Sequence, residues 1–149
     1  MSSEANFLAG YKEAPLPLRV RDAKRGVGSF LTIELDEVPN AGAHWRIWIY
    51  LCDWVLTEGE AEVLDSNCTD NRFYADHLGK LIGADLTECV AIDANKSCRL
   101  SFSSGAQLTL DDASDIYGPD KDMFMIFQND ECVASFKPII GLILGDESG

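Results

Sequence analysis

The sequence holds no H-E-x-x-H, G-x-S-x-G, G-x-G-x-x-G or Walker A stretch. Those patterns would mark a zinc hydrolase, an α/β-hydrolase, a dinucleotide fold and a phosphate-binding loop. Only two histidines occur, His44 and His77. Neither is accompanied by a third group or a nucleophile motif, so no catalytic residue is assigned and an enzyme is not expected. A cysteine–histidine pair that meets only in space stays open. The five cysteines, Cys52, Cys68, Cys89, Cys98 and Cys132, are odd in number and none is spaced C-x-x-C. That speaks against a disulfide framework or a zinc site and for reduced thiols in a cytoplasmic setting. No metal or cofactor is implied. A basic stretch leading into a long apolar run is missing from the first residues, so no secretory signal is expected. The apolar stretch "PIIGLILG" is far shorter than the roughly 20 residues that span a bilayer.

Positive charge is scarce after residue 50. The first fifty residues carry six basic and six acidic side chains, and the remaining ninety-nine carry six and nineteen. The second part therefore holds the whole net charge of −13. Such a surface repels nucleic acid and anionic membrane, and attracts a basic protein. It also serves solubility. With 149 residues and 46% apolar content, one globular domain over 1–149 is expected.

Period-two patterning dominates. "SFLTIEL" alternates apolar and polar residues, as does "HWRIWIYLCDWVL", residues 44–56. Read as one strand with a bend near Cys52–Asp53, residues 44–56 put Trp45, Ile47, Ile49, Leu51 and Val55 on a core face. His44, Arg46, Trp48, Tyr50, Cys52, Trp54 and Leu56 fall on the other face. "AEVLDS", "ECVAID", "CRLSFSS", "AQLTLD", "MFMIFQN" and "CVASF" read as further strands. "SSGA" and Asn129–Asp130 are the hairpin turns. Residues 1–14 read as a short helix or turn, and "KRGVG" as a turn. The spacing predicts one main helix near 70–81, capped by Thr69 or Asp70, with Phe73, His77, Leu78 and Leu81 on its apolar face. There His77 reads as a core histidine. The fold class is α+β: mostly antiparallel sheet in meanders, as a sandwich or partly open barrel, with that helix.

Two stretches invite binding. "LDDASDIYGPDKD", residues 110–122, carries Asp111, Asp112, Asp115, Asp120 and Asp122, with Tyr117 among them. It lacks the alternating oxygens, central glycine and closing glutamate of a calcium loop. It reads as a solvated loop or as a dock for a basic partner. Trp48, Tyr50 and Trp54 could line a sugar, lipid or peptide site, anchor a protein, or cover a second layer of core.

Taken in order, several elements form a pattern: Trp45–Arg46–Ile47–Trp48–Ile49 with Trp54, then Leu81–Gly83, then Phe102, Gly105 and Leu108, then Asp115 with Tyr117. This pattern resembles a family of small uncharacterised bacterial proteins, over roughly residues 44–136. It departs at Met123–Phe124, where the family has a tryptophan. Members of that family look like the acidic immunity proteins found beside polymorphic toxins. The resemblance implies a binding protein that neutralises a cognate basic toxin, such as a nuclease. Its partner-binding candidates are Asp111, Asp112, Asp115, Tyr117, Asp120, Asp122, Trp48 and Trp54. The alternative is a small-ligand module built on the aromatic strand face. Oligomeric state stays open. "GSFLTIELDEV…HWRIWIYL" also echoes "KSCRLSFSSGAQLTLDD…MFMIFQN" loosely, an echo on which no expectation is built.

Overall fold

Alternating side chains make strands wherever one face can be buried, and twelve form among the described residues. The computed structural model describes residues 5–6, 17–26, 30–37, 44–50, 52–68, 70–92, 96–112, 121–129, 131–137 and 141–144. The strands are β1 Ala5–Asn6, β2 Leu18–Arg25, β3 Leu31–Glu37, β4 His44–Ile49, β5 Asp53–Glu58 and β6 Ala61–Asp65. They continue as β7 Asp85–Ile92, β8 Ser97–Phe102, β9 Ala106–Asp111, β10 Phe124–Gln128, β11 Glu131–Lys137 and β12 Gly141–Leu144. One helix, α1 Asn71–Gly79, stands among the described residues. Every pairing is antiparallel, so the chain is the expected mostly antiparallel α+β protein.

The strand order is β12-β11-β10-β4-β3-β2-β7-β8-β9-β5-β6, with β1 beside β7. β4 and β5 lie six steps apart in this order, yet only residues 50–52 join them. In a flat sheet six steps would span about 29 Å, whereas the four Cα steps from Ile49 to Asp53 reach at most about 15 Å. The sheet must therefore fold over. β2, β3, β4, β10, β11 and β12 make one layer, and β7, β8, β9, β5 and β6 make the other. The hinge between them is the short β2–β7 contact, Leu18 opposite Leu86 and Arg19 opposite Asp85. Buried side chains of both layers form one apolar cluster between them.

The two layers are built alike. Each is a three-stranded meander (β2-β3-β4 or β7-β8-β9) followed by a hairpin that crosses to the other layer (β5-β6 or β10-β11). Register makes the correspondence residue by residue. Leu31, Ile33 and Leu35 of β3 match Cys98, Leu100 and Phe102 of β8. Trp45, Ile47 and Ile49 of β4 match Ala106, Leu108 and Leu110 of β9. Trp54 and Leu56 of β5 match Phe124 and Ile126 of β10. All of these are buried. The bulges correspond as well: Arg21 with Thr87, and Val63 with Val133. Gly59 and Asn129 open the two crossing hairpins' turns, both at positive φ, 62° and 51°. That backbone suits tight hairpins, and glycine and asparagine adopt it at least cost. The sequence echo is thus an internal pseudo-twofold.

Several expectations change. Residues 18–25 form a strand that local alternation does not display, and Lys24–Arg25 belong to it, not to the expected turn. The bulge at Arg21 breaks the period of two, so Leu18, Val20 and Ala23 face inward. Ala5–Asn6 is strand, paired with Ala91 and Val90, where a helix or turn was expected. The stretch 44–56 is two strands in different layers. Crossing at 50–52 resets the alternation, so Trp54 and Leu56 are buried and Val55 is half-buried. Leu51 lies outside the described residues.

The α1 helix starts where Asp70 accepts the Arg72 amide at 2.9 Å. It packs against β2 and β6 with Tyr74, Leu78 and Leu81 buried. Phe73, expected inward, is 51% exposed. Leu78 and Leu81 face inward as predicted, and Tyr74 stands in place of Phe73 at the head of the stripe, spaced i, i+4, i+7. Tyr74 meets the Trp54 ring edge-on at 5.8 Å, donates to the Cys68 carbonyl at 2.9 Å, and carries the Arg25 guanidinium over its outer face. His77 is half-buried and lies 3.2 Å from a Glu58 carboxylate oxygen, so it is not a plain core histidine.

Candidate functional site

The two layers cross over at one end of the molecule. β4 leaves the first layer where Ile49 faces Phe124, and β5 enters the second where Asp53 faces Asp111. The crossing is stitched by the Tyr50 amide on the Met123 carbonyl at 2.8 Å. The buried Cys52 thiol donates to the same carbonyl at 3.5 Å. Asp53 and Asp111 are both exposed and directly opposite on neighbouring strands. Like charges in that relation destabilise a sheet. The Ser66 hydroxyl reaches Asp53 at 3.5 Å and the Ser97 hydroxyl reaches Asp111 at 2.7 Å. Among the described residues neither carboxylate meets a cation. Their field extends inward: burial first, then Asp53 and Asp111, push the Cys52 thiol far up, and burial, neighbouring thiols and Asp111 do the same to Cys98.

The other layer differs at this place. At the matching place the ladder ends at Phe124 opposite Ile49, and the next residues are the buried Met123 and the half-buried Tyr50. The contrast extends to whole layers. Strands of the first layer carry six basic and five acidic side chains. Those of the second carry one basic and seven acidic.

A second feature lies on the outward face of β3, β4 and β10. Trp48 stands between Thr32 and Met125, and Arg46 between Glu34 and Phe127. The half-buried rings of Phe30, Tyr50, Trp48 and Phe127 run in a chain with centroids 4.6, 4.9 and 6.4 Å apart. Arg46 lies over Phe127 and 3.4 Å from Glu34. Beyond it the His44 ring sits 2.6 Å from Glu34 and accepts from Arg21 at 2.7 Å. A shallow groove is lined by Arg21, Asp22, Glu34, His44 and Arg46.

The structure therefore separates the predicted partner residues. Asp111 and Asp112 sit at the crossing on the acidic layer. Asp122 lies on the first layer's side, held by Lys137 at 2.7 Å. Trp48 is on the outward face of the first layer. Trp54 is withdrawn as a surface anchor, because it is fully buried against Tyr74. Asp115, Tyr117 and Asp120 lie outside the described residues. Asp53 was missed; its signal was its place one residue before the buried Trp54, which makes it outward. Among the described residues no helix is long and apolar enough to cross a membrane. Comparison with protein-family models, curated proteins and solved structures finds no match.

Proposed function

We propose that this chain is a non-enzymatic binding protein of the bacterial cytoplasm that neutralises a basic protein toxin. One observation carries the reading. Asp53 and Asp111 face each other, exposed, at a cost to the sheet, and among the described residues neither meets a cation. A charge arrangement that lowers the stability of the fold is explained by a cationic partner. Complementary charge speeds encounter and excludes wrong partners. The resemblance of the motif order to immunity proteins supplies the partner class. The neighbouring gene is the test. Expressed alone it should arrest growth, and co-expression of this chain should restore it. Restoration should weaken when Asp53, Asp111 and Asp112 become asparagine. A harmless neighbour, or full rescue by the triple variant, would contradict the reading.

A further inference from the structure

β6 is the last strand of the second layer. It pairs with β5, and among the described residues no strand lies along its other edge. Its counterpart in the first layer is β11, the second strand of the matching hairpin, with Val133 bulged where Val63 is. β11 carries a further strand. β12 runs antiparallel along it, with Leu144 opposite Ala134 and Ile143 opposite Ser135. By register Ala134 and Ser135 correspond to Leu64 and Asp65. The fold thus extends its sheet at this place in one layer, past the same bulge, and leaves the place open in the other.

Backbone groups of β6 stay available there. The Ser66 amide donates to the Trp54 carbonyl on β5 at 3.0 Å. Asp65, one residue earlier, therefore turns its amide and carbonyl away from β5. The Cys68 amide donates to that carbonyl at 3.1 Å, while the Asp65 amide meets no acceptor among the described residues. This turn limits the open edge to residues 62–65. A groove of about 220 Å³ lies along it, lined by Glu62, Val63, Leu64, Asp65 and Cys68.

Local charge selects the occupant. Glu60, Glu62 and Asp65 are the only charged side chains in residues 59–68. Among the described residues none of the three forms an ion pair. The β6 edge of a second copy would set the same carboxylates against them and be repelled. An extended segment with lysine or arginine at alternate positions is attracted instead.

We infer that the open edge of β6 takes an extended basic segment of the partner as an added antiparallel strand. Main-chain hydrogen bonds hold such a strand, and the flanking side chains select its sequence. The residue opposite Leu64 stands where Leu144 stands in the other layer, and is apolar. The residue opposite Asp65 is basic. The inference rests on the toxin reading for its partner and names the segment by which that partner is held.

Titration of the whole chain with a synthetic peptide of four Lys-Val repeats tests it, read by calorimetry and by amide hydrogen exchange. The peptide should bind and slow exchange of the Asp65 amide. Methylating every backbone nitrogen of the peptide keeps its charges but blocks strand pairing, and should weaken binding at least tenfold. Glu62→Lys should do the same with unchanged circular dichroism. Absence of binding, or protection that spares residues 62–65, would overturn the inference. So would equal binding of the methylated peptide, or indifference to Glu62→Lys. No toxin enters this titration. Its failure leaves the salt-dependent association expected of the toxin reading intact, and a harmless neighbouring gene leaves the titration readable.

Discussion

Arg19 and Asp85 face each other across the contact that joins the two layers, Nε 3.0 Å from Oδ1. On either side of them the pairing repeats: Leu18 opposite Leu86, and the Val20 amide on the Ala84 carbonyl at 2.8 Å. The pseudo-twofold passes through this pair. Arg19 and Asp85 occupy the same place in the two halves, yet carry opposite charge. They show on a small scale the contrast between the two layers, one balanced and one acidic.

Of the three tryptophans, Trp48 and Trp54 should behave differently. Trp54→Ala removes a fully buried ring and should cost about 3–5 kcal/mol. Trp48→Ala removes a half-buried one and should cost about 1 kcal/mol or less. Urea unfolding of both variants checks the ordering.

Relieving the facing carboxylates should stabilise the fold. Asp53→Asn is expected to raise stability by about 0.2–1 kcal/mol, and the gain should vanish as salt screens the pair. Chemical unfolding at two ionic strengths measures it. No gain at low salt would mean that the two charges are already compensated.

Helix docking should weaken in acid. Partial burial pushes the Glu58 carboxyl up, but the His77 hydrogen bond and the Lys80 charge outweigh it and hold the group below its ordinary 4.5. Arg72 holds Asp70 below 3.8. Both carboxyls are depressed in the fold, so their stabilisation is complete above the ordinary values and is lost as pH falls through the folded ones. Trp54 fluorescence, which senses Tyr74, should report loosening of α1 below about pH 4.5. Glu58→Gln should remove part of that dependence.

Thiol reactivity should follow burial. All five cysteines are unpaired, and Cys132 is the exposed one. Cys52, Cys89 and Cys98 are buried and held protonated. Thiolate is the reactive form, so labelling of native protein should reach Cys132 first and those three only on unfolding. Peptide mass mapping gives the order.

Much of this architecture was legible in alternation alone. β3, β8 and β9 obey a strict period of two, and Gly105 at the SSGA turn has the positive φ that a glycine there suggests. What escaped depended on one residue shifting the period. The bulge at Arg21 hid β2, and the crossing at 50–52 reversed the faces of Trp54 and Val55. The inward side of Leu78 and Leu81 is legible in the spacing, but Phe73 and Tyr74 are adjacent aromatics, and only contact with Trp54 chooses Tyr74. Pseudo-symmetry resides in register and bulges, which no local pattern displays. The aromatic face was visible as Trp48 and Tyr50. Its partners Phe127 and Met125 come from a strand some eighty residues away. Asp53 shows its significance only beside Asp111, a neighbour created by β5 crossing to β9.

The central claim is that the acidic crossing steers a cationic protein partner. Association rates with the purified neighbour-encoded protein, taken at low and high salt, test it most directly. The wild-type rate should fall steeply as salt rises. The Asp53, Asp111 and Asp112 to asparagine variant should associate more slowly at low salt and show a flattened dependence, with folding intact. Equal rates and equal salt slopes for wild type and variant would contradict the account.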